Sequence, residues 1–205
     1  MPTDEAVRRF ASGDLYFEPG SRFDYILENW ILVFAIIEAV TGLPYLEATR
    51  RLTLAPLGLH STGADASIAQ GARTVPSYRS ISPVERRAYQ RQPFLVAAGG
   101  FFSDPHDLLL AAHRVYDGGF LSAASRNELL TVIMAADDYA LGGRVKKLRL
   151  GGEDRTVAWE TGNTAGYRSV VAHRLDTRQT VIILNNSSMS QRVLDDFAKA
   201  IFARL

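Results

Sequence analysis

The stretch TVAWETGNTAGYRSVVAHR, residues 156–174, decides the fold class of this chain. Thr156 to Glu160 and Tyr167 to Arg174 are β-branched or alternating runs, and a break from Gly162 to Gly166 separates them. Side chains alternate between the two faces of a strand, so runs of this kind bounded by turn residues read as strands. The pattern continues outward on both sides. Arg144 to Leu150 lies upstream across Gly151-Gly152, and Gln179 to Asn185 lies downstream across Asp176-Thr177. Four such runs in succession predict an antiparallel meander. After it, Gln191 to Leu205 places Val193, Leu194, Phe197, Ile201 and Leu205 at helical spacing, which predicts an amphipathic helix covering one sheet face.

Upstream of residue 140 the period is helical. Asn29 to Thr41 is apolar on almost every side, with Gly42 as its C′ stop. Pro44 to Thr53 predicts a second helix, ended by the turn at Pro56-Leu57-Gly58. His60 to Gln92 is polar and irregular, a surface excursion in which Arg86, Arg87 and Arg91 form a solvated face. Asp104-Pro105 offers an N-cap and a first-turn proline to a helix over Asp107 to Tyr116, closed by Gly118-Gly119. Ser125-x-x-Glu128 has the spacing of a capping box for a helix running to Ile133. Helices, then a meander, then a helix make an α+β fold. Residues 1–140 form its helical region, and residues 141–205 form the sheet hairpins and closing helix of the same integrated unit.

Composition narrows the function. The chain has 205 residues, 47% of them hydrophobic and 22% charged, with a formal net charge of +1. That balance carries no polyanion-binding signature, so no nucleic-acid partner is expected. There are no cysteines, which removes disulfides, a thiol nucleophile and thiolate metal sites. The four histidines, His60, His106, His113 and His173, show none of the close spacings of a metal-binding helix, so neither a metal nor a cofactor is expected. His106 and His113 read as surface or packing residues, and Asp104 and Asp107 as capping and first-turn groups. The most apolar run, Trp30 to Ile37, is far short of the ~20 residues of a membrane span. Met1 to Phe10 has no apolar signal region, so the chain as written reads as cytoplasmic, although a longer precursor could be exported.

Five segments in register resemble the serine β-lactamase and penicillin-binding-protein family, nearest its class C, DD-peptidase and esterase branch. They are Phe17 to Tyr25, Ile36 to Gly42, Pro56 to Thr62, Ala98 to Ser103 with Asp107-Leu108, and Thr161 to Tyr167 followed by a strand ending at Asn185-Asn186. The resemblance implies the β-lactamase-like fold and hydrolysis of an amide, β-lactam or ester through a serine acyl-enzyme. In that family the nucleophile sits in Ser-x-x-Lys, where one helical turn puts the amine beside the hydroxyl. Here no Ser or Thr is followed three positions later by Lys, because the only lysines are Lys146, Lys147 and Lys199. The chain is therefore expected to begin after that motif and to lack the family's leading helix and first strands. The meander would then have an unpaired edge, and Trp30 to Val40 would lack a packing partner, which invites self-association or an N-terminal partner chain.

The resemblance also assigns site residues. Tyr25 falls on the tyrosine of the family's Tyr-x-Asn motif, a proton shuttle or hydrogen-bond partner of the nucleophile, while Leu27 replaces the asparagine. Glu160, Thr161 and Gly162 fall on the family's Lys-Thr-Gly or His-Thr-Gly segment, with the N–H of Asn163 at an oxyanion-hole position. Glu160 reverses the expected charge, so a small amide or ester ligand would be neutral or cationic. Three bland readings stay open beside these. Tyr25 also fits a core tyrosine, Thr161-Gly162 also fits an ordinary strand-end turn, and alternation could turn Glu160 into solvent. The expectation is a hydrolase-family chain inactive alone; a non-enzymatic binding module and one half of a split hydrolase are the alternatives.

Overall fold

The computed structural model describes residues 2–64, 75–87 and 93–205. In chain order the helices are α1 Thr3–Phe10, α2 Glu28–Thr41, α3 Tyr45–Thr49, α4 Ala55–Leu57, α5 Pro105–Ala112, α6 Ala123–Leu130 and α7 Gln191–Phe202. The strands are β1 Gly63–Ala64, β2 Tyr78–Ile81, β3 Val84–Arg86, β4 Phe101–Phe102, β5 Val132–Met134, β6 Tyr139–Ala140, β7 Gly143–Leu150, β8 Glu153–Thr164, β9 Tyr167–Arg174 and β10 Thr180–Asn185. The fold is α+β, as the run of helices followed by strands predicts. Two compact units divide the chain: residues 1–74 with 90–103, and residues 75–89 with 104–205.

In the first unit α2 begins at Glu28, capped by Leu27, and ends at Gly42, which takes the left-handed conformation (φ 66°) that a residue with Cβ resists. Pro44 is the extended N-cap of α3 rather than its first residue. The helical path then runs past the expected end at Thr53, through a π-helical turn at Arg50–Leu54 and into α4, before Gly58 stops it. Pro56 stands in the last turn of this path, two residues before Gly58. Phe34 stacks on Tyr45 with ring centroids 4.4 Å apart, and Tyr45, Ala64 and Val96 form one buried cluster of this unit.

The second unit holds a six-stranded antiparallel sheet in the order β10-β9-β8-β7-β6-β5. One face buries Leu150, Val157, Trp159, Val170, Ala172 and Val181 under α7. The helix contacts that face through Leu194, Ala198 and Phe202, one residue per turn, where the short Ala198 lets the backbone approach the sheet. The expected apolar face is corrected here. Of its five residues only Leu194 is fully buried, and Phe197, Ile201 and Leu205 are 57%, 42% and 62% exposed. Leucine, isoleucine and phenylalanine alone drew the wrong stripe, since alanine at position 198 carries the contact.

Three further boundaries differ from expectation. Ser122, not Ser125, caps α6, accepting a hydrogen bond from the Ser125 N–H, and the helix ends at Leu130 because Thr131 turns extended and leads the β-branched pair Val132-Ile133 into β5. Gly162 lies inside β8 instead of in the break. The chain reverses only at Ala165-Gly166, where φ is 29° and 84°, a two-residue hairpin of the primed type. Within the stretch expected to be irregular, β2 and β3 form a short hairpin; Arg86 is on β3 and Arg87 follows it, while Arg91 lies outside the described residues. The N-cap at Asp104 is as expected, its carboxylate accepting from the Asp107 N–H at 2.8 Å. No single helix among the described residues is long and apolar enough to cross a membrane.

Candidate functional site

Glu160 to Asn163 occupy the second half of β8. Across from them on β9 stand Val171, Val170, Ser169 and Arg168 in antiparallel register. On the other side β7 stops pairing at Trp159, opposite Arg144. Residues 160–163 therefore present an edge on the β7 side with no strand partner among the described residues. Such an edge offers backbone N–H and C=O groups to an extended ligand. Thr161 and Asn163 are exposed. The space a side chain would take at Gly162 is held by the hydroxyl of Ser169, its cross-strand partner, so the glycine answers to the fold as well as to any ligand.

Glu160 does not point into solvent. Alternation puts it on the face opposite Trp159, where its carboxylate lies over Gly143 and accepts from the backbone N–H of Arg144. Gly143 has φ 142° and leaves the room that a Cβ would fill. A small pocket here is lined by Tyr116, Leu129, Gly142, Gly143, Arg144 and Glu160. Burial raises the Glu160 carboxyl to about 7, against the pull of Arg144 and Lys146. Burial, and then the Glu160 charge, push the Tyr116 phenol upward as well.

The tip of the β8–β9 hairpin is pinned from one side. The Tyr167 hydroxyl donates to the Val75 carbonyl at 2.8 Å, and Asn186 Nδ2 donates to the Pro76 carbonyl at 2.9 Å. Gly166 sits so close to the Tyr78 carbonyl and to Ser77 that a Cβ would come within 3.0 Å of that oxygen.

Tyr25 belongs to the first unit, in the extended segment before α2. It is 50% exposed, which does not fit a core tyrosine, and its ring meets Trp30 edge-on at 6.1 Å between centroids. Leu27 is the N-cap position of α2 and Asn29 is inside the helix. Of the five expected site residues, four share the β8 edge in the second unit and Tyr25 stands in the first.

One cluster escaped the sequence reading. Histidines that look scattered are brought together in the second unit, where His113 and Asp117 on a π-helical turn after α5 meet His173 of β9. Their spacing, four residues and then fifty-six, hides the third member until the sheet is formed. His173 is fully buried, and burial lowers its imidazole, opposed by its contact with Asp117.

Comparison with solved structures finds the same fold repeatedly. A D-stereospecific amidohydrolase from Streptomyces sp. matches with a TM-score of 0.73 and 24% identity over 95% of this chain and 60% of that one. A penicillin-binding protein from Bacillus halodurans matches with a TM-score of 0.82 and 20% identity over 98% and 63%. An octameric penicillin-binding protein homologue from Pyrococcus abyssi matches with a TM-score of 0.80 and 20% identity over 97% and 47%. This chain thus spans between 47% and 63% of the length of these three structures. No curated protein sequence matches. The family model described as Beta-lactamase matches residues 1–204, and the chain belongs to the Beta-lactamase family.

Proposed function

We propose that this chain is the substrate-binding portion of an amide- or ester-directed serine hydrolase fold and forms no acyl-enzyme by itself. The observation that carries the reading is the pairing of an open β8 edge at residues 160–163 with the lack of any Ser-x-x-Lys or Thr-x-x-Lys. Thr161 offers a hydroxyl and Asn163 an N–H to a bound carbonyl, with Glu160 behind them. Neither Lys146 nor Lys199 stands in for the missing base, and Lys147 is exposed on β7 opposite Thr156, four strand positions from Glu160. Lys146 lies 5.1 Å from the centroid of the Trp159 ring, on the sheet face opposite Glu160, and Lys199 is on α7 beside Asp196. Tyr25 is the relic of the family tyrosine. The amide direction draws support from the Streptomyces relative, whose own name describes a D-stereospecific amidohydrolase. The purified chain is expected to leave nitrocefin-like β-lactams and p-nitrophenyl esters unhydrolysed and to gain no mass from a fluorescent penicillin. A stoichiometric adduct on any serine, Ser21 or Ser103 for example, overturns the proposal.

A second reading, one half of a split hydrolase or a self-associating binding module, is favoured by uncovered apolar surface. Phe197 and Ile201 on α7, and Ile36 and Val40 on α2, are all more than 40% exposed, and β10 is an edge strand among the described residues. Surfaces of this kind favour association. Sedimentation of the chain alone is expected to show assemblies larger than one chain. A sharp monomer with a cooperative melt overturns this reading, and hydrolysis that appears on adding a polypeptide bearing Ser-x-x-Lys establishes the split form.

A further inference from the structure

We propose that His113, Asp117 and His173 form a binding site for a divalent transition metal, Zn²⁺ foremost. The nearest donor atoms already converge. His113 Nδ1 lies 2.6 Å from Asp117 Oδ2, His173 Nε2 lies 2.9 Å from Asp117 Oδ1, and the three donors lie within 4.8 Å of one another. Zinc bonds to histidine and carboxylate at about 2.0–2.2 Å in a tetrahedron, which separates neighbouring donors by about 3.3 Å. The cluster therefore needs only a modest opening at two contacts to admit the ion.

The outward nitrogens are held as they would be in a metal site. His173 Nδ1 lies 2.8 Å from Thr180 Oγ1, and His113 Nε2 lies 3.5 Å from the same oxygen. A ligating histidine commonly uses its second N–H in this way, which fixes the tautomer and aims the other nitrogen inward. The fold places these groups for a local reason. His173 and Thr180 are a cross-strand pair of β9 and β10, so their side chains share a sheet face. Tyr116, from the same π-helical turn as His113 and Asp117, stacks on the His173 ring at 5.4 Å between centroids. Turns of this kind occur often at functional sites.

Burial differs across the cluster in a way that suits an ion with one open position. The His173 side chain is fully buried and that of Asp117 is 14% exposed, whereas that of His113 is 41% exposed and opens a path to solvent. Two imidazoles and one carboxylate favour zinc, cobalt, nickel or copper over calcium and magnesium, which prefer oxygen donors. Water would complete the coordination.

The test uses the full chain after chelator treatment. Zn²⁺ is titrated by calorimetry, and Co²⁺ by its visible absorption. The expected result is one ion per chain, a four-coordinate cobalt spectrum, and shifts of the His113 and His173 ring resonances in the wild type. His113→Ala is expected to weaken binding at least 100-fold, and Thr180→Val about 10- to 100-fold, the usual effect of losing an outer partner. His60→Ala and His106→Ala are expected to bind as the wild type does. Absence of zinc uptake by the wild type overturns the proposal and leaves the cluster as a hydrogen-bonded brace between the π-helical turn and the sheet. Binding that survives in His113→Ala but disappears in His106→Ala also overturns it. The wild-type ring shifts decide the matter should a variant fail to fold.

Discussion

Replacing Glu160 with glutamine removes one ionisation and keeps the acceptor that the Arg144 N–H uses. The structure raises the carboxyl from its ordinary 4.5 to about 7, chiefly by burial. At about 1.4 kcal/mol for each tenfold change, that rise is worth about 3 kcal/mol. The sign follows from linkage. A carboxyl whose folded value lies above its unfolded one favours folding fully below pH 4.5, and that contribution is lost as pH rises through about 7. Glu160→Gln should thus be close to neutral at pH 4.5 and stabilising by about 3 kcal/mol at pH 8. For a chain of this size, 1 kcal/mol moves the melting temperature by roughly 2–4 °C, so the variant should melt about 6–12 °C higher at pH 8. Calorimetric or circular-dichroism melts at the two pH values read this directly. The same shift at both, or a lower melting temperature at pH 8, refutes the buried, neutral-leaning carboxyl. Benzylpenicillin titrations by NMR extend the test. A charged Glu160 about 4 Å from an anion repels it by roughly 1 kcal/mol in water and about 4 kcal/mol at an effective dielectric of 20. Binding of the anion should therefore improve below pH 7 in the wild type and become independent of pH in the glutamine variant.

Gly143→Ala should destabilise the chain by about 2 kcal/mol or more, because the new methyl group meets the Glu160 carboxylate and the backbone there has φ 142°; equilibrium urea unfolding checks this, and a neutral effect would mean that Glu160 swings freely. Ala165→Asn should stabilise by about 0.5–1 kcal/mol in the same assay, since asparagine tolerates the left-handed conformation of a primed turn better than alanine does. A loss of stability there would show that the turn is not of this type in solution.

The four long strands β7 to β10 were legible because each is a β-branched or alternating run set off by glycine or by Asp-Thr, whereas the short strands β1 to β6 carry too few residues to show a period. The family match from Phe17 to Asn186 was legible for a related reason: turns such as Pro56-Leu57-Gly58 and stops such as Gly42 tie residue type to backbone angle. Details that depend on a partner far along the chain were hidden. Gly162 looks like a turn residue until Ser169 is seen to need its space, and Ala198 looks neutral until the sheet under α7 is in place. Ser122 outcompetes Ser125 as cap because one turn more of backbone adopts helical angles, a choice no local spacing reveals. The charge of Glu160 is written in the sequence, but its burial against Gly143 depends on the register of β7 with β8. His113, Asp117 and His173 meet only because the turn after α5 packs against β9.

The strand order of the larger sheet sets how the chain can fold. Each strand from β5 to β10 pairs only with the ones next to it in sequence, so every ladder closes a short loop and costs little chain entropy. The β8–β9 ladder needs only the two-residue turn at Ala165-Gly166 and is the natural place for structure to start. In the first unit the β1–β4 pair joins Gly63 to Phe102 across a far longer loop. Since folding rate falls as contacts become less local, the sheet from β5 to β10 should gain protection from hydrogen exchange well before the β1–β4 bridge does, in a refolding experiment followed residue by residue.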